Sequence, residues 1–497
     1  MAKTSSSNQK EIEINNFGGF VPLWFLNSYP FYGNVNQCSD MVNIDITDPN
    51  VLTQGKGLSN LINGNEDTAH DGVVDTLIRS ILNVVTASNI TYAIGGNKLY
   101  QLSPTTVTKS TTFPHTIDKT GVTGEDGEDI VYYNSDLYYF YNHSGNAGDI
   151  GKYNGSTFDE TWGSVTASGA EPLQNAPHQA INGGDSCVYF ANGKYVGVID
   201  RTTLKASELD FWDDCQVVSL SWNLNRVIVA VNSPNITGSN FNQSFICYWD
   251  GVSSSFEGDP IEINGRIGAL YTKNGITFVW WQDASASNGY NFGYVINGQI
   301  KGLYRCKGTL PLYYQVGEYN GFVMWVSDGL LYLWGAYDPN VAVNLSQYLT
   351  SRYTTAVGGI GSPFGDILIA SKGQIDQDTH YSIDKNSGYT KNSSWKSKAF
   401  KMSGSNYIFQ IDLIFVETDP LSAGARADFT LTYNKGKSTQ TLSPIVYSTA
   451  NTTRHKITDQ SYQVEDFRLD ISFANGSTTN PVKIRSIMIS GHFVLSN

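Results

Sequence analysis

Charge is scarce in this 497-residue chain. Asp, Glu, Lys and Arg make up 15% of it, against ~25% in ordinary soluble domains. With aromatics at 13%, that scarcity excludes a generally disordered chain and a coiled coil. Basic residues are the rarer sign, 32 against 45 acidic, for a net charge of −13. A surface that wraps nucleic acid needs many Lys and Arg against phosphate, so that class is excluded. Cysteine is sparse too. The five (Cys38, Cys187, Cys215, Cys247, Cys306) form no Cys-x-x-Cys, which excludes a zinc ribbon or a thioredoxin-like pair. They read as reduced thiols made in a cytosolic compartment. The opening residues Met1 to Lys10 contain no apolar stretch, so no Sec signal is expected. The longest apolar run, Gly321 to Tyr337, is interrupted by Ser327-Asp328-Gly329. A membrane helix needs ~18 unbroken apolar residues, whereas Asp-Gly between β-formers is a hairpin turn.

That hairpin has counterparts. Tyr92 to Tyr100, Ile130 to Tyr141, Cys187 to Ile199, Val227 to Trp249, Ile276 to Ile296 and Phe322 to Trp334 each place a Gly/Asn/Asp/Ser turn or loop between apolar strands. Ile367 to Gly373 opens a weaker seventh. The turn centres recur about every 46 residues, the spacing of four-stranded propeller blades. Runs such as Phe278-Val-Trp-Trp281 are apolar on both faces, as expected of strands packed between neighbouring blades. The pattern predicts an all-β chain: a six- or seven-bladed β-propeller over residues 65–386. Asp71 to Thr86 is the best amphipathic stretch, ambiguous between helix and strand. Residues 1–64 carry scattered aromatics without alternation and read as an extended N-terminal arm, packed on the propeller or on a neighbouring subunit. Beyond residue 386, strands such as Phe409 to Val416 and Phe467 to Phe473 alternate apolar and polar residues. That is the mark of antiparallel strands with one wet face. Residues 387–497 therefore read as a C-terminal antiparallel β-sandwich of jelly-roll type.

Linear signs of catalysis are missing. The seven histidines (70, 115, 143, 178, 380, 455, 492) make no His-x-x-His, and no Gly-x-Ser-x-Gly occurs. The histidines read as surface or structurally hydrogen-bonded groups. Gly124-Glu-Asp-Gly-Glu-Asp129 lacks the spacing of a calcium loop and reads as a solvated loop. Asp376-Gln-Asp378-Thr-His380 could align three ligands on one strand face, but a metal needs a further group from elsewhere. Gly358-Gly359-Ile-Gly361-Ser-Pro-Phe-Gly365 precedes a strand rather than a helix, so it reads as a blade connection rather than a phosphate cradle. Trp249, Trp280, Trp281, Trp325 and Trp334 could stack on sugars, but lie in core strands. The ten arginines are spread singly, against a sialidase-like cluster. No catalytic residue, cofactor or metal site is expected, and the chain is read as not an enzyme.

Two segments resemble a known family. Phe17-Gly-Gly-Phe, Tyr32-Gly-Asn-Val-Asn-Gln-Cys-Ser-Asp-Met-Val-Asn43, Asp45 and Val51-Leu-Thr-Gln-Gly-Lys-Gly57 resemble the start of many tailed-bacteriophage tail proteins. Trp395-Lys-Ser-Lys-Ala-Phe400, entering the sandwich, is similar to phage tail-hub and nozzle proteins. The order of arm, propeller and sandwich resembles the packaged-DNA stabilisation proteins of short-tailed phages. The resemblance implies a structural virion protein of the tail, assembled in the host cytoplasm. It would form a ring homo-oligomer, commonly a hexamer, below the portal-adaptor. Its partners would be that adaptor and fibre, spike or needle proteins, with genomic DNA passing through the channel without sequence-specific contact and no membrane insertion. It would help retain the packaged genome until DNA ejection. An acidic channel wall to which DNA does not stick suits this expectation. The alternative is a carbohydrate-binding or carbohydrate-cleaving receptor-binding tail protein. Cleavage would need two carboxylates at roughly 5–9.5 Å. A secreted adhesin or enzyme is disfavoured by the missing signal.

Overall fold

The computed structural model describes residues 9–15, 17, 38–45, 48, 50–60, 74, 76–84, 89–104, 106–108, 110–166, 172–233, 243–284, 288–335, 344–349, 356–375, 378–389, 393–402, 407–434, 436–458, 460–474 and 480–495. They are almost entirely β. The one α-helix among them is Trp162–Thr166, and none of their helices is long and apolar enough to cross a membrane.

Antiparallel four-stranded units follow one another along the chain. The first runs Ser80–Val84, Ile90–Gly95, Lys98–Leu102, His115–Thr116, and the second Asp126–Tyr133, Asp136–His143, Ala147–Tyr153, Phe158–Asp159. The third is Ala180–Asn182, Cys187–Asn192, Tyr195–Asp200, Thr203–Asp210. The fourth begins with Gln216–Asn223, Arg226–Asn232 and Gln243–Trp249. The 17-residue strand Glu257–Lys273 closes the fourth unit and opens the fifth, which continues with Ile276–Asp283, Tyr290–Ile296 and Gln299–Cys306. The sixth is Val316–Tyr319, Phe322–Ser327, Leu330–Gly335, Asn344–Leu349. The last is Ala356–Gly361, Leu368–Ile375, Asp378–Ser387, and its outer strand comes from the other end of the chain, Gly57–Asn60.

The apolar cores lie between units. Tyr92, Ile94 and Leu99 of the first pack with Ile130, Leu137 and Tyr139 of the second. Val131, Tyr138 and Phe140 meet Val188, Phe190 and Ile199. The series continues to the last unit, whose Leu368, Ala370 and Ile383 pack on Ile78, Ala93 and Tyr100 of the first. Each sheet thus buries both faces on its neighbours and the succession returns to its start, a β-propeller-type arrangement. Trp249, Trp280 and Trp325 are fully buried in these cores.

Local turn chemistry sets the hairpins. Asp328-Gly329, Asn274-Gly275, Asn297-Gly298 and Asn320-Gly321 all have positive φ at both turn residues, the type I′ geometry that matches strand twist. Two expectations differ in detail. Lys372-Gly373 lies within Leu368–Ile375, with Gly373 opposite His380, so the turn falls later. The 71–86 stretch carries the strand Ser80–Val84 and no helix among its described residues.

Of the glycine run read as a blade connection, Gly358 to Gly361 lie in the strand Ala356–Gly361, and Pro363–Gly365 form a 3-10 turn after it. A Cβ at Gly358 or Gly359 would collide with the carbonyls of Ile78 or Arg79. Gly359 N–H donates to Ile78 O at 2.8 Å. The glycines let the last unit's inner strand reach the chain entering the first.

Two seven-stranded sheets form the sandwich. One has the order Ile44–Asp45, Leu52–Gln54, Lys483–Leu495, Tyr407–Thr418, Arg454–Thr458, with Gln9–Ile14 also on Lys483–Leu495. The other runs Cys38–Val42, Ser393–Ser397, Asp466–Ala474, Arg426–Tyr433, Ser438–Thr441. Burial alternates residue by residue along Asp466–Ala474. Residues read as an arm therefore supply strands to both sandwich sheets and close the last propeller unit. The sandwich core, with Phe409, Ile411, Leu469 and Ile489, continues into Met324, Leu331 and Ile369 of the last two units.

Candidate functional site

A cavity of about 990 Å³ lies at the centre of the ring. Its lining comes from one rim: the starts of inner strands (Arg79, Asp126, Gln216), the ends of second strands (Asn142, Asn232, Gln282) and the turn Tyr313–Gln315 before the sixth unit. In an antiparallel pair the second strand returns to where the first began. Residues scattered over more than 230 positions therefore meet on one face.

Arg79 organises the site. Its Nη2 donates to Asp126 Oδ2 at 2.7 Å and its Nη1 to Glu128 Oε1. The strand bulges between Gly127 and Asp129, and Asp126 and the bulged Glu128 both meet Arg79. Glu128 is buried, and burial pushes its pKa up to about 7, with Asp126 adding and Arg79 and Asn142 opposing. Tyr313, itself buried, donates its hydroxyl to Glu128 O at 3.2 Å. Asp129 points the other way. It accepts from Ala180 N–H and Ile130 N–H, both at 2.8 Å. Burial pushes its pKa up to about 6 against those donors.

Behind Glu128 a chain of hydrogen bonds leaves the cavity. Asn142 Nδ2 donates to Glu128 Oε1 at 3.0 Å and to Ala176 O at 3.0 Å. His178, fully buried, faces Asn142 Oδ1 with Nε2 at 3.0 Å and Ala191 O with Nδ1 at 2.8 Å. Burial lowers its pKa to about 4. Asn142 Nδ2, donating to both Glu128 and Ala176 O, joins His178 to the carboxyl through one side chain.

The acidic run read as a solvated loop is corrected here: Asp126 to Asp129 begin an inner strand, and Glu128 and Asp129 are buried. The sequence signal was acid placed directly before the aromatic strand Ile130–Tyr133. The opposing Arg79 lies 47 residues upstream of Asp126 and leaves no local pattern. Of the histidines, His115 contacts Glu160 at 2.7 Å and stacks on Phe158, His492 contacts Asp412 at 2.6 Å, and His143 lines the cavity. His70 and Asp376 lie outside the described residues. Asp378 and His380 sit on Asp378–Ser387, and no cluster able to hold a metal occurs among the described residues. Cys187, Cys215, Cys247 and Cys306 carry free thiols.

No protein-family model and no curated protein matches the sequence. Solved structures match it only distantly. An exo-β-1,3-galactanase from Phanerochaete chrysosporium, solved with galactose, is 9% identical over 83% of this chain and 95% of that one, at a TM-score of 0.31. Bacteroides ovatus Xyloglucan PUL GH43B is 10% identical over 85% and 98%, at 0.26. Drosophila Semaphorin 1a, extracellular domains 1–2, is 10% identical over 62% and 86%, at 0.41. Likeness at this level assigns no activity. Glycoside hydrolases stand among these neighbours, contrary to the expectation of a chain without catalysis. The inference from missing linear motifs also fails physically, since a ring site draws its groups from separate units.

Proposed function

We propose that the propeller has seven blades, the last completed by Gly57–Asn60, and that its axial cavity binds a carbohydrate. The observation that carries this is the convergence of Arg79, Asp126 and Glu128 with Gln216, Asn232, Gln282 and Tyr314 on one rim. Planar amides, a guanidinium and carboxylates suit the dense hydroxyls of a sugar, and an aromatic ring suits its apolar face. Glycosidic cleavage at this site would use Glu128 as the acid, because burial keeps a carboxyl protonated near neutral pH. Asp126, held by the same Arg79, is the second carboxylate. The test is release of reducing ends from a panel of polysaccharides by the native chain. Glu128→Gln should lower that release at least a hundredfold with folding intact, in keeping with the 10²–10⁴-fold contribution of a positioned acid. Release unaffected by the substitution would move the chemistry elsewhere.

A second reading, a subunit of a phage tail ring, rests on the two segments that resemble tail proteins. They lie together: Met41 is opposite Trp395 in the sheet, and Phe17 packs edge-on against Trp395 at 5.7 Å. A tail protein that engages surface glycan would satisfy both readings. Cryo-EM of virions decides it: density for this chain outside any tail ring would remove it.

A further inference from the structure

Three cations at the mouth of the axial cavity have no partner among the described residues. Arg266 lines the cavity itself. Arg305 and Lys307 line an adjoining hollow of about 400 Å³ that shares Asn288 and Gly308 with it. All three side chains are exposed. Five other arginines, Arg79, Arg226, Arg426, Arg468 and Arg485, each meet a carboxylate. Carboxylates close to the three cations in the fold are bound elsewhere. Asp283 accepts from Asn291 Nδ2 at 2.9 Å. Asp328 accepts from Thr309 N–H at 3.0 Å and from its hydroxyl at 2.5 Å. In a chain of net charge −13, three cations without an ion-pair partner among the described residues, beside a polar cavity, suit an anion supplied from outside.

We propose that this cationic mouth selects acidic glycans, the anionic group of the sugar meeting Arg305 and Lys307 while neighbouring rings enter past Arg266. This rests on the carbohydrate reading of the axial cavity. Arginine presents a planar fork that suits a carboxylate or a sulfate ester, and lysine adds an unoriented charge.

The test is calorimetric titration of the full chain with three oligosaccharides of equal length: neutral oligogalactan, oligogalacturonate and sulfated oligogalactan. The two acidic sugars should bind about tenfold tighter or more than the neutral one, the worth of one charge-assisted hydrogen bond. That margin should shrink as salt is raised. Arg305→Gln with Lys307→Gln should abolish it and leave the neutral sugar unchanged. A margin for only one acidic sugar would identify the anion as carboxylate or sulfate. Equal binding of all three, or a margin that survives the double substitution, overturns the proposal and leaves the axial site standing. Failure of the native chain to bind any of the three overturns the axial site and the proposal together.

Discussion

Glu128 shows how burial changes what a residue can do. Its pKa rises from 4.5 to about 7 because the folded chain withdraws it from water more strongly than Arg79 and Asn142 compensate. The folded state therefore holds a proton that the unfolded state has released between those values. Stability from this group is present below about pH 4.5 and falls as pH rises to about 7. Asp129, raised to about 6, adds in the same direction. Melting temperature should decline across that window, and Glu128→Gln should flatten the decline; an unchanged slope would remove Glu128 as its source. Arg79→Ala should cost about 3–5 kcal/mol above pH 7, where it leaves buried charge unpaired. The cost should be smaller at pH 5, where Glu128 is protonated. Denaturant melts at the two pH values check this.

Among the elements, what was legible in the sequence is local. Asp328-Gly329 announces its hairpin because only a narrow set of residues accepts positive φ at both positions. The alternation of Phe467 to Phe473 announces a sheet with one wet face because side chains alternate along a strand. What was not legible depends on partners far away in sequence. Gly358 and Gly359 are glycine because the backbone of Ile78 and Arg79 lies against them, which no neighbouring residue reveals. Gly359→Ala should force that seam apart and cost about 1–3 kcal/mol, read as a lowered melting temperature. Gly275→Ala places a Cβ in open space and costs only the strain of positive φ, about 1 kcal/mol. Equal losses in the two variants would contradict the seam. The axial site was hidden for the same reason: Arg79, Glu128 and Tyr313 share no motif.

At the scale of the molecule, the two chain ends are fastened together. Ile12 faces Ile489, Leu52 faces Ile484, and Ser59 faces Lys385. The sandwich and the ring are both completed by the first sixty residues, so the arm is a structural member of each. A chain lacking residues 1–60 should lose cooperative melting of both parts and become sensitive to protease within the last unit and the sandwich. Retention of native melting would contradict this closure. The axial cavity is lined by residues between Arg79 and Gln315, so a sugar bound there should not touch the C-terminal sheets. The direct measurement is a crystal structure of the full chain with a bound oligosaccharide. Sugar density is expected in the axial cavity, in contact with Asp126, Glu128 and Tyr314. Sugar seated only on the sandwich, or none at saturating concentration, would contradict it.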